Sequence, residues 1–126
     1  DASENNSDVV LWGTGSPLRE FTYSKDLAKI IIFLLENYND DRPINVGNTQ
    51  EISIKQLAEM VGKAMNYEGK IVWDHLRPNG QLRKPTDNSQ LLSIGWKKED
   101  YSDFEHSLGE TCRWFEKNYP NVRGVE

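Results

Sequence analysis

The stretch VVLWGTGSPLREFTYSKDLA, residues 9–28, largely decides the fold. Its first four residues, Val9–Trp12, are rich in strand-forming side chains, and the Gly, Ser and Pro residues of 13–17 stop them with a turn. Glu20–Tyr23 can form a second strand. The sequence therefore predicts a β-hairpin across the turn, with a helix directly after it.

The predicted helix begins at Ser24, a residue type that is typical of an N-cap. Asp26 lies in its first turn, where the helix dipole favours an anion. The residues that follow are apolar on nearly every side of the helix: Leu27, Ala28, Ile30, Ile31, Ile32, Phe33, Leu34 and Leu35. A helix without a polar face is buried, or is covered by a neighbouring domain.

The rest of the chain alternates short strands and helices. Strands are predicted at Pro43–Val46 and Ile71–Trp73, and a short helix at Asp87–Ile94. Capping boxes at Ser53–Gln56 and Ser102–Glu105 open two further helices. The inner face of the last helix is predicted to carry Phe104, Leu108, Cys112, Phe115 and Tyr119. The fold class is therefore a small mixed α/β domain with three or four short strands and about four helices.

Composition limits the possible functions. The chain has 126 residues and a net charge of −5, which suits one domain and argues against nonspecific binding to nucleic acid. No apolar run approaches the roughly 18 residues that a membrane helix needs. Residues 1–7 are polar and are predicted to be a flexible N-terminal segment before a domain at 8–126. Without an initiator Met, the chain reads as part of a longer protein.

The lone cysteine, Cys112, excludes a disulfide within the chain and favours a cytoplasmic protein. With only two distant histidines, His75 and His106, no soft-metal site can be assembled. Cys112 and His106 lie six residues apart on one predicted helix and point to opposite sides. Cys112 is therefore interpreted as a buried structural thiol rather than a nucleophile.

Two motifs of nucleotide-dependent oxidoreductases are incomplete. Gly13-Thr-Gly15 begins like a dinucleotide-binding fingerprint, but the third glycine is missing and the continuation is strand-like instead of helical. A Tyr-x-x-x-Lys pair for proton transfer is also missing, because no tyrosine is followed by lysine four residues later. No cofactor-binding or catalytic residue is therefore predicted in this chain.

One loop breaks the acidic pattern. Residues 75–86, called the cation loop below, contain no carboxylate but carry Arg77, Arg83 and Lys84. The loop has no regular period and is longer than most connections. It can be a solvated basic loop, or a site for a multiply charged anion such as pyrophosphate, since Arg offers a planar fork of donors and Lys a point charge. The residues alone leave both alternatives open.

Two residues near the first turn could complete such a site. Arg19 follows the turn, where a strand starts, so that it can be held rigidly at a sheet edge. If Arg19 and the cation loop converge, they form a two-sided clamp. Trp12 could pack in the core or flank a sugar or base.

Four stretches resemble the extended short-chain dehydrogenase/reductases that act on nucleotide sugars. They are WGTGSPLREFTYSKDLA at 12–28, INVG at 44–47, PNGQLRK at 78–84 and TCRWFEKNY at 111–119. The likeness runs over nearly the whole chain. It is closest to the branch that converts GDP-4-keto-6-deoxy-D-mannose to GDP-L-fucose by epimerisation and NADPH-dependent reduction. The resemblance implies that the fold is the C-terminal substrate domain of such an enzyme.

The resemblance also implies residue roles. Arg19 matches an arginine that contacts the substrate diphosphate, Trp12 a tryptophan beside the substrate, and Lys84 a basic residue near the phosphates, next to Arg83. Asn79 matches a substrate-contacting position, near the ribose, where the family usually has Asp. Asn still accepts and donates hydrogen bonds but lacks the charge.

What the resemblance implies for the whole enzyme lies outside this chain. The NADP-binding Rossmann domain and the catalytic groups precede the matching segment, so the chain alone is expected to be inactive. The implied partners are the GDP-sugar, the Rossmann domain and a second copy in a homodimer. Two alternatives remain: another epimerase or dehydratase that uses UDP- or dTDP-sugars, and a non-catalytic binding or interaction module.

Overall fold

The computed structural model describes residues 7–123. The predicted flexible segment therefore lies, apart from Ser7, outside the described residues. The elements follow one another in this order: β1 Val9–Trp12, β2 Leu18–Glu20, α1 Ser24–Asn37, β3 Glu51–Ser53, α2 Ile54–Ala64, β4 Ile71–Asp74, α3 Ser89–Ser93, a 3₁₀ turn Lys98–Asp100 and α4 Phe104–Asn118. The predicted class, a small mixed α/β domain of short strands and four helices, is confirmed.

The predicted hairpin is wrong. β1 pairs in parallel with β4, with Val9 beside Ile71 and Trp12 beside Asp74. β2 pairs instead with β3 in an antiparallel ladder. The turn between β1 and β2 therefore separates two small sheets rather than closing one. Parallel partners come from distant parts of the chain, and so the local pattern could not reveal them.

One strand of the structure was not predicted, and one further predicted strand is absent. β3 is only three residues long and was missed, because such a short segment has no readable alternation. Pro43–Val46 lies in no strand. Its Ile44 and Val46 pack instead against the hydrophobic core, which accounts for the apolar pattern that suggested a strand.

Helix α1 begins at Ser24, but its N-cap is Tyr23, whose extended backbone (φ −68°, ψ 136°) precedes the first helical residue. No side-chain hydrogen bond caps this end, so the predicted Ser24 cap is wrong. Ile30 is completely buried on the inner face. The outer face is exposed along the helix, at Leu27 (40%), Ile31 (50%), Ile32 (58%) and Leu35 (81%). Within the described chain one face of α1 is buried, and cover of the other face by a neighbouring domain stays a prediction.

The hydrophobic core lies where α1 meets the segment that follows α3. Ile30, Leu91 and Trp96 form its centre, and a shell of partly buried side chains surrounds them: Phe33, Leu34, Ile44, Val46, Leu92 and Tyr101. The Trp96 ring meets Phe33 and Tyr101 edge-on, with centroids 5.4 and 5.9 Å apart. Aromatic pairs favour this geometry.

A buried carboxylate fastens α1 to the start of α4. Asp26, only 1% exposed, accepts hydrogen bonds from the backbone N–H and the hydroxyl of Ser102, at 2.8 and 2.6 Å. The predicted capping box at Ser102–Glu105 is therefore wrong. Asp103 is the N-cap of α4 and accepts from the backbone N–H of His106 at 2.8 Å.

The capping box at the start of α2 is confirmed. The backbone N–H of Gln56 donates to the Ser53 hydroxyl at 3.1 Å, and that of Ser53 donates to the Gln56 side chain at 3.0 Å. Helix α2 packs against α4. None of the helices within 7–123 is long and apolar enough to span a membrane.

Helix α4 buries only the first part of its predicted inner face. Cys112 is 7% exposed, whereas Phe115 and Tyr119 are 38% and 44% exposed. Burial raises the pKa of the Cys112 thiol, and so disfavours the reactive thiolate. His106 is exposed. The prediction that Cys112 is a buried thiol is confirmed.

A glycine inside α2 gives a stability prediction. A Cβ added at Gly62 would meet its nearest atoms, in Ile71 and Tyr67, at 3.8 Å, an ordinary contact. Because Ala loses less backbone entropy than Gly in a helix, Gly62→Ala should raise the free energy of unfolding by about 0.5–1 kcal/mol. Urea denaturation followed by circular dichroism measures this, and an unchanged or lower value would contradict it. Gly95→Ala, at φ +114°, should instead lower stability.

Candidate functional site

The turn between β1 and β2 is compressed against the rest of the domain. Gly13 and Gly15 are buried and have φ of +80° and +72°, in the region that favours glycine. A Cβ at Gly15 would lie 2.6 Å from the Trp73 ring and 2.9 Å from the Lys55 Cβ, and one at Gly13 would overlap Asn79. The glycines therefore allow close packing. The turn continues into a strand, so it does not fit the pyrophosphate of a dinucleotide, which needs a helix N-terminus.

Asn79 joins the cation loop to this turn. Its Oδ1 accepts hydrogen bonds from the backbone N–H of Thr14 at 2.7 Å and from the Thr14 hydroxyl at 3.0 Å. The oxygen that could have accepted from a ribose is therefore already engaged. An aspartate oxygen could accept the same two bonds, so this link does not distinguish Asn from Asp at position 79.

Farther along, the cation loop runs beside β2. The backbone N–H of Leu18 donates to the Leu82 carbonyl at 2.8 Å, and Leu18 forms a parallel bridge with Arg83. β2 thus lies between β3 on one side and the loop on the other. At its far end, the backbone N–H of Thr86 donates to Glu20 at 3.1 Å. These contacts fasten the loop along its length.

Arg19 and the cation loop do converge. The half-buried Arg19 guanidinium donates to the carbonyl oxygens of Leu18 and Gln81, at 2.6 and 2.7 Å. A guanidinium has five N–H donors, so these two bonds hold it in place and leave others for a ligand. The cation loop thereby fixes the orientation of the Arg19 side chain.

The strand register sorts the cations onto two faces. Leu18 and Arg83 are paired, so their side chains share one face. Because side chains alternate along extended backbone, Arg19 and Lys84, each one residue further, share the opposite face. Lys84 is exposed, and its side chain makes no hydrogen bond or ion pair with any residue in 7–123. The register thus directs two sequence-distant cations, Arg19 and Lys84, to one face.

Arg83 is not part of that pair. Its Nε lies 3.0 and 2.9 Å from the two carboxylate oxygens of Glu51, and its Nη2 lies 2.6 Å from one of them. The Glu51 side chain is only 16% exposed, against 62% for Arg83. The hydrogen bonds lower the pKa of Glu51 and raise that of Arg83, so both stay charged. The charge of Arg83 is therefore matched within the domain.

Trp12 lies at the end of β1 with 67% of its surface exposed, so the alternative that it packs in the core is wrong. The Arg77 guanidinium carbon lies 5.1 Å from the centroid of the indole ring, which is cation–π range. Arg77 also lies 3.5 Å from the Asp74 carboxylate. Arg77 restricts the exposed Trp12 ring, and one side of that ring is available to a flat ligand group.

An open cleft lies elsewhere, beside the N-terminal end of α1 and the middle of α4, with a volume of about 590 Å³. Within it the Tyr23 hydroxyl and Lys25 bind Glu110 and hold the pKa of that carboxyl at about 2. Glu110 already matches the charge of Lys25. The cleft contains none of Trp12, Arg19 or Lys84, and its size alone does not make it the anion site.

Several partners in the site were missed from sequence. Glu51, Thr14 and Gln81 fix the loop through contacts far apart in the chain. Gln81 acts through its carbonyl oxygen, which every residue type carries, so no sequence signal could reveal it. The only sequence signal for Glu51 was its charge, because it is a carboxylate on a short strand in a chain with one basic loop.

Comparisons with known proteins agree with the resemblance seen in the sequence. The model of the NAD dependent epimerase/dehydratase family matches residues 1–47. "Probable GDP-L-fucose synthase 1" of Oryza sativa subsp. japonica is 42% identical over 116 residues, 92% of this chain and 35% of its own length. "GDP-L-fucose synthase 1" of Arabidopsis thaliana is 43% identical over 114 residues, 90% of this chain and 35% of its own.

A solved structure shows the same fold. The crystal structure of a GDP-L-fucose synthetase from Naegleria fowleri bound to NADP superimposes with a TM-score of 0.90 at 35% identity. The match covers 97% of this chain and 38% of that one. This chain thus spans little more than a third of the length of the relatives that it matches.

Proposed function

We propose that this chain is the substrate-binding portion of a GDP-L-fucose synthase. The premise is that the chain is homologous, over most of its own length, to about a third of each of these GDP-L-fucose synthases. The observation that carries the proposal is the shared face of Arg19 and Lys84 beside β2. A diphosphate presents several charged oxygens in a short span. A planar guanidinium and a mobile ammonium, placed side by side, match that arrangement.

The remaining residues complete a nucleotide-sugar site. Trp12 offers an exposed ring face to the base or the sugar. Asn79 fixes the cation loop against the turn and keeps its side-chain NH₂ as a donor toward a hydroxyl. Arg83 supports the site through Glu51. In this proposal the domain holds the diphosphate and so positions the sugar, which is catalysis by orientation.

The whole enzyme would convert GDP-4-keto-6-deoxy-D-mannose to GDP-L-fucose by epimerisation and reduction, with hydride supplied by NADPH. The turn at Gly13–Pro17 does not fit a dinucleotide, so we place NADP and the catalytic groups in a Rossmann domain outside this chain. The exposed aliphatic face of α1, from Leu27 to Leu35, suits contact with that domain. We also propose a cytoplasmic homodimer, inactive when reduced to this chain alone.

The proposal is tested by nucleotide binding to the full-length protein that contains this chain, measured by isothermal titration calorimetry. GDP should bind, and Arg19→Ala should weaken it by about 30-fold, because charge-assisted hydrogen bonds are lost. Lys84→Ala should weaken it by about 10-fold. The control is Lys63→Ala, which removes another exposed lysine, paired with Glu105 on the surface, and should leave GDP binding unchanged.

The alternatives give different results in the same measurement. An epimerase or dehydratase for other sugars would bind UDP or dTDP more tightly than GDP, while still depending on Arg19. A non-catalytic interaction module would not bind GDP, UDP or dTDP in a way that requires Arg19 and Lys84. Either result would overturn the assignment to GDP-L-fucose synthesis.

A further inference from the structure

The Glu51–Arg83 ion pair stands on the face of the sheet opposite to the proposed anion site. Glu51 pairs directly with Glu20 across the β2–β3 ladder, so two carboxylates face each other on neighbouring strands. Like charges in this position destabilise a sheet. Both carboxylates are used by the cation loop: Glu51 binds the Arg83 guanidinium, and Glu20 accepts from the backbone N–H of Thr86. Glu20 and Glu51 therefore bind the cation loop through two separate contacts.

We propose that Glu51 is a positioning residue for the nucleotide diphosphate, which acts by binding Arg83 and so presenting Lys84 beside Arg19. This inference rests on the proposed function of the site. Arg83 and Lys84 are adjacent, and their side chains point to opposite faces. Fixing Arg83 on one face therefore orients the backbone that carries Lys84 on the other.

The Lys84 side chain has no hydrogen bond or ion pair within 7–123, so its placement depends on the backbone that carries it. Glu51 contacts Arg83 through both carboxylate oxygens in a largely buried position, a geometry that restricts both side chains. Such preorganisation lowers the cost of ordering the loop when a ligand binds. Removing the Glu51–Arg83 ion pair should weaken substrate binding without changing the rate of the chemical step.

The effect of Glu51→Gln on GDP binding distinguishes a positioning role from the simplest alternative, in which Arg83 itself binds the phosphate. In the full-length protein that contains this chain, Glu51→Gln and Arg83→Gln should each raise the Kd for GDP and the KM for the GDP-sugar by about 10-fold, with kcat within about two-fold of wild type. If Arg83 were itself a phosphate ligand, Glu51→Gln would release it and leave GDP binding unchanged or tighter, while Arg83→Gln alone would weaken it. That pattern, or no effect of either variant, would overturn the proposal.

A second test exchanges the charges of Glu51 and Arg83. The double variant E51R/R83E rebuilds the ion pair in reverse and should restore the Kd for GDP to within about three-fold of wild type. Failure to restore binding, in a variant with wild-type Tm, would contradict a positioning role. Glu105→Gln, which breaks the exposed Lys63–Glu105 pair, is the matched control and should change neither Kd nor KM. Wild-type protein that does not bind GDP would instead refute the proposed function itself.

Discussion

Replacing Asp26 by alanine is expected to lower the free energy of unfolding by about 3–5 kcal/mol, the range found when one partner of a buried charged interaction is removed. Asp26 is 1% exposed, and it accepts from both the backbone N–H and the hydroxyl of Ser102. The substitution would leave both donors without an acceptor at the point where α1 meets α4. Urea denaturation of the 126-residue chain, read by circular dichroism, measures the change.

The control for this prediction is the same substitution at an exposed site. Asp87 is exposed, and its hydrogen bonds are local, to the backbone N–H of Ser89 at 2.9 Å and to the Ser89 side chain. Asp87→Ala should therefore cost less than about 1 kcal/mol. Equal losses at the two positions would show that burial of Asp26 and its bonds to Ser102 do not matter for stability.

Replacing Gly15 by alanine is expected to destabilise the domain by about 2–4 kcal/mol, through left-handed backbone strain and overpacking together. The added Cβ would lie within 2.7 Å of two atoms of the Trp73 ring and 2.9 Å from the Lys55 Cβ. Relief would require β4 and the start of α2 to move away from the turn. The same movement would displace Arg19, so GDP binding should weaken as well.

Gly80 supplies a control that isolates the packing contribution. Its φ of +71° matches the +72° of Gly15, but a Cβ at Gly80 would meet no atom within 4 Å. Gly80→Ala should therefore cost only the backbone strain, about 1–2 kcal/mol. If the two alanine variants unfold at the same urea concentration, Trp73 and Lys55 yield freely and the packing argument is wrong.

The sequence predicted those features that depend on neighbours in the chain. The helices, the capping box at Ser53–Gln56 and the irregular cation loop all follow local patterns, and the structure contains them. Strand partners did not follow, because β1 and β4 are far apart in the chain and no local pattern specifies a parallel ladder. The Ser102 cap failed for a similar reason, since a distant carboxylate, Asp26, takes its hydroxyl.

The candidate site was predicted in its composition but not in its arrangement. The sequence left open whether Arg19 and the cation loop converge, and in the structure they meet through the Gln81 carbonyl. Sequence gave no means of separating Arg83 from Lys84, which are adjacent cations of similar appearance. The separation comes from the alternation of side chains beside β2 and from a carboxylate, Glu51, contributed by another strand.

The parallel pairing of β1 with β4 also determines when the domain can acquire its binding surface. β1 cannot pair with β4 until residues 71–74 have been synthesised, and closing so long a loop makes this step entropically slow. The cation loop follows β4 directly, so Arg19 meets its backbone partner only after that closure. Ligand affinity should therefore emerge among the last events of folding, after the local helices have formed.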